Sequence, residues 1–180
     1  MPSPPAARPP QLQGVEHTLY LPMIVRAQAA LLCPWMDPHD QYARNMLAQT
    51  GPIVFAYPTD PATVINILWR TQKIRQIGLD FFERFAHVQG INLGAGLANY
   101  FQWLDTGLNH WLDVDLPEVV MLRTQLTPEP VARHEVLADD LRIPGWWERL
   151  GLPQQGHHHP LLLIAEGLLM YMRPTEVKAF

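Results

Sequence analysis

Two short apolar runs, one ending in a glycine turn and the next in an acid, constrain this chain more than any other feature. Residues 91–97 read Ile91-Asn92-Leu93-Gly94-Ala95-Gly96-Leu97, and the following apolar run closes on Asp113-Val114-Asp115. A strand that delivers a glycine turn lets the backbone touch a ligand, because glycine has no side chain to hold it away. An acid at the end of the next strand can then accept both hydroxyls of a ribose. The pattern predicts a doubly wound α/β domain that holds an adenosine-containing cofactor. Asp115 is the leading ribose ligand because it sits at the strand's end. Asp113, two positions earlier on the same strand face, is the alternative.

The turn also discriminates between cofactors. A dinucleotide fingerprint wants a third glycine three positions after the second, where a helix packs closely on the strand. Asn99 stands there. A pyrophosphate needs a helix N-terminus and backbone donors for its charge. S-adenosylmethionine carries only an amino-acid end, a sulfonium and an adenosine, so a two-glycine turn suffices. A nicotinamide-dependent oxidoreductase is the rival that Asn99 counts against.

Around the turn the hydrophobic period switches. Residues 14–33 have roughly helical spacing, although Pro22 is expected to kink or divide any helix there. Asp37-Pro38-His39-Asp40 offers a turn and a cap before a helix near 40–49, and residues 53–56 are too short to assign. From Pro61 to about His87, Val64, Ile67, Leu68, Ile74, Ile77, Phe81, Phe82 and Phe85 recur mostly at three- and four-residue steps. They predict a long amphipathic helix opened by proline and interrupted near Gly78. Strands at 90–93, 110–114, 133–138 and 160–165 then alternate with helices at about 97–104, 117–125 and 145–150, and another helix begins at Thr175. This alternation predicts a parallel sheet covered by helices. The expected organisation is a disordered lead over 1–12, a helical N-terminal cap over 13–88 and a cofactor-binding α/β core over 89–180.

Bulk properties exclude several classes. The 180 residues carry 13 basic and 17 acidic side chains, a net charge of −4, which leaves no electrostatic footprint for nucleic acid. No apolar run approaches the ~20 residues needed to cross a bilayer, and the proline-rich start lacks a signal peptide's apolar core. The single cysteine, Cys33, lies in an apolar run, excludes a disulfide framework and fits a buried thiol in a reducing, cytoplasmic setting. His157-His158-His159 are consecutive, so their side chains diverge and no metal site is expected. Trp146 and Trp147 are expected to shield the sheet.

Several ordered blocks resemble the leucine carboxyl methyltransferase and polyketide O-methyltransferase family, whose members are class I S-adenosylmethionine enzymes. They are Gly14-Val15-Glu16-His17-Thr18-Leu19 with Leu21-Pro22 and Arg26-Ala27, then Trp69-Arg70-Thr71, then the glycine turn. After these come Asp113-Val114-Asp115-Leu116-Pro117-Glu118-Val119, Ala138-Asp139-Asp140-Leu141 and Ala165-Glu166-Gly167-Leu168-Leu169-Met170-Tyr171. The resemblance implies a Rossmann-like methyltransferase sheet and the donor S-adenosyl-L-methionine. It gives Arg70 the donor's carboxylate, with Arg75 as competitor if the register slips. It gives Gly94 and Gly96 the turn, and it gives Asp140 and Leu141 the adenine, although Asp139 blurs that register. Glu166 would take the donor's ammonium. An acid closing so apolar a strand needs a partner in any case. Tyr171 would face the acceptor.

Where the family carries an aspartate, a threonine and an arginine after the turn, with another arginine further on, this chain has Ala98, Asn99, Tyr100 and Trp103. Losing acid and base together resembles the compensated loss of an ion pair. The family's sheet has seven strands and four are found here. The expectation is therefore a truncated product, or a sheet completed by another segment or an oligomeric partner. The expected activity is O-methyl transfer, most simply to a carboxyl group of a small-molecule or polyketide-like acceptor. A carboxylate is already a nucleophile, so no general base is required and no catalytic residue is singled out. The alternative is a non-catalytic cofactor-binding homologue.

Overall fold

The computed structural model describes residues 16–50, 60–127, 131–153 and 160–180. The expectations for residues 1–12, Gly14, Val15, 53–56 and His157 to His159 lie outside the described residues.

Helix α1 (Glu16–Ala27) is followed by the short α2 (Ala29–Leu32) and by α3 (Gln41–Thr50). Pro22 lies inside α1 and does not divide it. A proline there removes one bond, to the carbonyl of Thr18 in the helix's first turn, and the helix continues to Ala27. Asp40 supplies the cap for α3, its carboxylate accepting from the Ala43 amide at 2.8 Å.

Helix α4 (Pro61–Arg84) opens with Pro61 in the first turn, as the sequence predicts, and the structure adds a cap, the Asp60 carboxylate accepting from the Thr63 amide at 3.1 Å. It runs unbroken through Gly78, contrary to the expected interruption. The reason is packing. A β-carbon at Gly78 would lie 2.6 Å from Leu104 Cδ1, so the glycine admits a neighbouring helix rather than ending its own. Val64, Ile67, Leu68, Thr71, Gly78 and Phe82 form the buried stripe.

The sheet follows. Strand β1 (Gln89–Leu93), helix α5 (Phe101–Leu104), β2 (His110–Asp115), α6 (Pro117–Leu126), β3 (His134–Ala138), α7 (Trp146–Arg149), β4 (Leu161–Ile164) and α8 (Pro174–Ala179) alternate in chain order. All pairings are parallel and the spatial order is β3-β2-β1-β4. The fold is α/β, with a four-stranded parallel sheet and surrounding helices. The predicted helix at 97–104 is shorter at its start, because the glycine turn continues to Tyr100.

One face of the sheet packs Ile91, Leu93, Leu112 and Val114 against Leu141, Trp146 and Leu152. The opposite face packs Trp111 and Ile164 against Phe82, Tyr100, Phe101 and Leu104. Gly90 belongs to that second face, where the Trp111 ring lies so close that a β-carbon would sit 2.4 Å from it. The chain runs outward from β1 to β2 and β3, then returns to place β4 on the other side of β1. The crevice at the carboxyl ends of β1 and β4 is the switch point at which open α/β sheets bind ligands.

Candidate functional site

Parallel strands in register end together, so the residues that follow them meet at one edge. Asn92 pairs with both Asp113 and Ile164, and Asp115 with Ala138. The glycine turn, Asp115, Asp139-Asp140 and Glu166 therefore emerge side by side. A cavity of about 790 Å³ lies there, within the range of small-molecule and cofactor sites. Arg70, Gly94, Gly96, Asp115, Asp140, Leu141 and Glu166 all line it, as do Arg26 and Tyr171.

Gly94 and Gly96 have φ of 67° and 52°, in the left-handed region that side chains disfavour. A β-carbon on Gly94 would also sit 2.9 Å from Leu168 Cδ1. Asp115 is tied to this turn: one carboxylate oxygen accepts from the Gly96 amide at 2.6 Å and the other from the Leu116 amide at 2.7 Å. Each oxygen keeps a lone pair, so the acid is fixed in orientation and can still accept two hydroxyls. Burial raises its pKa, partly offset by those two amides and by the charge of Arg123.

Asp113 is not available for ribose. It is fully buried, and one oxygen accepts from Trp111 Nε1 at 3.0 Å and Asn92 Nδ2 at 3.1 Å. The other meets Arg123 Nη2 at 2.5 Å and His134 Nε2 at 2.7 Å. Burial alone would raise its pKa, but the Arg123 charge and the His134 and Trp111 bonds outweigh that and hold it low. Side chains two apart share a strand face, but Asp113 is fully buried and only Asp115 of the two lines the cavity.

Arg123 does more than neutralise Asp113. Its Nη1 donates to the carbonyls of Gly96 at 3.0 Å and Ala98 at 2.5 Å. The carbonyl between them, on Leu97, accepts from Arg26 Nη2 at 2.9 Å, and Arg26 is paired with the buried Asp40 at 2.9 Å. Two buried arginines thus hold three consecutive carbonyls of the glycine turn. The sequence carries a signal for this in the position of Arg123. Arg123 occupies the apolar stripe of α6 with Val119, Leu122 and Leu126, and an arginine there requires a buried acid.

At the other side of the crevice, Arg70 Nε donates to Glu166 Oε1 and the Tyr100 hydroxyl donates to Glu166 Oε2. Glu166 therefore has partners within the chain. Arg75 does not line the cavity; its guanidinium lies over the Trp103 ring at 5.7 Å. Asp140 is held by Arg142 at 2.6 Å in a partly exposed turn, and that bond lowers its pKa. Asp139 is paired with Arg149 at 2.8 Å. Leu141 is buried in the sheet cluster while contributing to the cavity wall. Among the described residues, no group of three His, Cys, Asp or Glu side chains could hold a metal, and no helix is long and apolar enough to cross a membrane.

The family model described as leucine carboxyl methyltransferase matches residues 23–180, from within α1 through the last helix. The chain belongs to the leucine carboxyl methyltransferase family. No curated protein matches it. A crystal structure of a Thermobifida fusca YX protein proposed to be a methyltransferase aligns with 92% of this chain at 17% identity and a TM-score of 0.46. The chain covers 63% of that protein's length.

Proposed function

We propose that this chain binds S-adenosyl-L-methionine and belongs to an O-methyltransferase acting on a carboxyl group of a small-molecule or polyketide-like acceptor. The observation that carries the reading is Asp115, locked by the amide of the glycine turn at a topological switch point, with an acid and a base together across the same cavity. An adenosine needs the first feature and an amino-acid zwitterion the second. Arg70 offers a planar fork to a carboxylate, Glu166 an acceptor to an ammonium, and Leu141 an apolar wall to a purine ring. The family supports a methyl donor.

The donor, when bound, would supply an activated methyl group whose transfer breaks the carbon–sulfur bond, forms a carbon–oxygen bond and leaves a neutral thioether. The protein's task is then to align and to exclude water. Leu19, Leu21 and Pro22 of α1, Ile67 of α4, and Leu168 and Met170 after β4 give the cavity an apolar wall suited to that. Its arginines Arg26, Arg70 and Arg142 are all engaged with acids, and the described lining contains no histidine, lysine or cysteine.

Calorimetric titration of S-adenosylmethionine into the purified protein tests the proposal, with Glu166→Ala as control. The expected result is saturable one-site binding that the substitution weakens. A folded wild-type protein that does not bind would overturn it. Transfer of labelled methyl to presented carboxylates then distinguishes an enzyme from a binding module.

A further inference from the structure

Tyr100 stands where the family's motif has an arginine, and it does not line the cavity. It is wholly buried, in the cluster that Phe82 of α4 forms with Trp111 and Ile164 of the sheet. Its hydroxyl donates to Oε2 of Glu166, while Arg70 reaches Oε1 of the same carboxylate. Successive residues on a helix point about 100° apart, so α4 turns Arg70 toward the cavity and Thr71 into the core. The buried Thr71 hydroxyl donates to the Ile67 carbonyl at 2.9 Å. Glu166 is thus held from behind by a buried phenol and from the front by a guanidinium that is about one-third exposed.

We propose that Tyr100 is a positioning residue for Glu166, fixing the carboxylate so that Oε1 is presented to the ammonium of an amino-acid-bearing ligand. The inference rests on the methyltransferase reading of the cavity and adds to it a residue outside the lining. The asymmetry of the two contacts carries the argument. Arg70 has solvent on one side and can rotate toward a ligand carboxylate, whereas Tyr100 cannot leave its pocket. When the ligand enters, Glu166 exchanges its front partner and keeps its back one, so the acid need not be reordered during binding. Burial, followed by the nearby Glu166 charge, raises the Tyr100 pKa, so the phenol keeps its proton and remains a donor.

The test compares two ligands that share an adenosine and a thioether but differ in the amino-acid end, S-adenosylhomocysteine and 5′-methylthioadenosine. Each is titrated into wild type, Tyr100→Phe, Glu166→Gln and the double variant, with near-ultraviolet circular dichroism as the folding check. Tyr100→Phe should weaken S-adenosylhomocysteine by roughly tenfold or more, the loss of one hydrogen bond to a charged group. It should leave 5′-methylthioadenosine unchanged and add little on top of Glu166→Gln. Equal weakening of both ligands would make Tyr100 a general prop of the turn and overturn the positioning role. Unchanged S-adenosylhomocysteine affinity would overturn it too. A wild-type protein that binds neither ligand would remove the methyltransferase reading itself, and this inference with it. If Tyr100→Phe fails to fold, equal loss of both ligands in Glu166→Gln still overturns the inference, since it denies Glu166 the ammonium that Tyr100 would position it for.

Discussion

Replacing Arg123 with methionine should damage this protein more than any single change on its surface. The side chain is 2% exposed and serves three acceptors: the Asp113 carboxylate and the carbonyls of Gly96 and Ala98. Methionine fills much of the same volume but donates nothing, so Asp113 becomes a buried charge without its main counterion. Breaking a buried ion pair from one side costs about 3–5 kcal/mol. The two carbonyls each add a desolvation cost of about 1–3 kcal/mol if water cannot reach them, and these terms overlap rather than sum. For a chain of this size about 1 kcal/mol moves the melting temperature by about 2–4 °C, so roughly 6–20 °C is expected from the ion pair alone. Thermal unfolding followed by circular dichroism, with urea unfolding to check that the slope is unchanged, measures this. The double variant Arg123→Met/Asp113→Asn supplies the control. It removes the stranded charge while leaving oxygen and nitrogen for the remaining partners, so it should recover more than about 1 kcal/mol of the loss. A single variant that loses less than that, or a double variant no better than the single, would refute the claim that a paired charge beneath the turn holds it in place.

Gly94→Ala should disrupt the site and stability together, because the new side chain meets both a φ of 67° and Leu168 Cδ1 at 2.9 Å. The expected cost is at least about 1 kcal/mol, read as a lower urea midpoint, and an unchanged midpoint would mean that the turn relaxes freely. Stability should also fall in acid in a way traceable to Asp113. Its folded pKa lies below the ordinary 3.8, so its contribution is present above that value and lost as pH falls through the depressed one. Asp115, whose pKa burial raises, acts in the opposite sense, its contribution being lost as pH rises through the raised value. The gap in urea midpoint between wild type and Asp113→Asn isolates the first effect and should narrow below pH 3.8. A gap that stayed constant would show that Asp113 is not charged in the folded protein.

Local signals in this sequence reached far. Pro61 at a helix start, Pro117 after Asp115 and the short apolar runs are decisions made by a few adjacent residues, because turn geometry and hydrophobic period act over one or two turns of chain. They placed the elements within a few residues and identified α/β alternation. Parallel pairing then requires strand ends to coincide, which is why the sequence alone groups Gly94, Asp115, Asp140 and Glu166 at one edge.

What adjacent residues could not determine is which charged group meets which. Asp113 and Asp115 look equivalent in sequence, and only the helices packed over the sheet bury the first against Arg123 and His134 while leaving the second at the crevice. Gly78 reads as a helix break until Leu104 fills the space above it. Glu166 reads as an acid awaiting a ligand, yet it is held by Arg70, 96 positions away, and by Tyr100, 66 positions away. Burial is a collective property of the packed chain, and the cost of a buried charge is met by whichever partner the packing brings within reach. Local patterning is thus enough for the elements, their order and the edge at which the site forms. The tertiary structure alone decided which acids remain open to a ligand, because that depends on which of them the core has already neutralised.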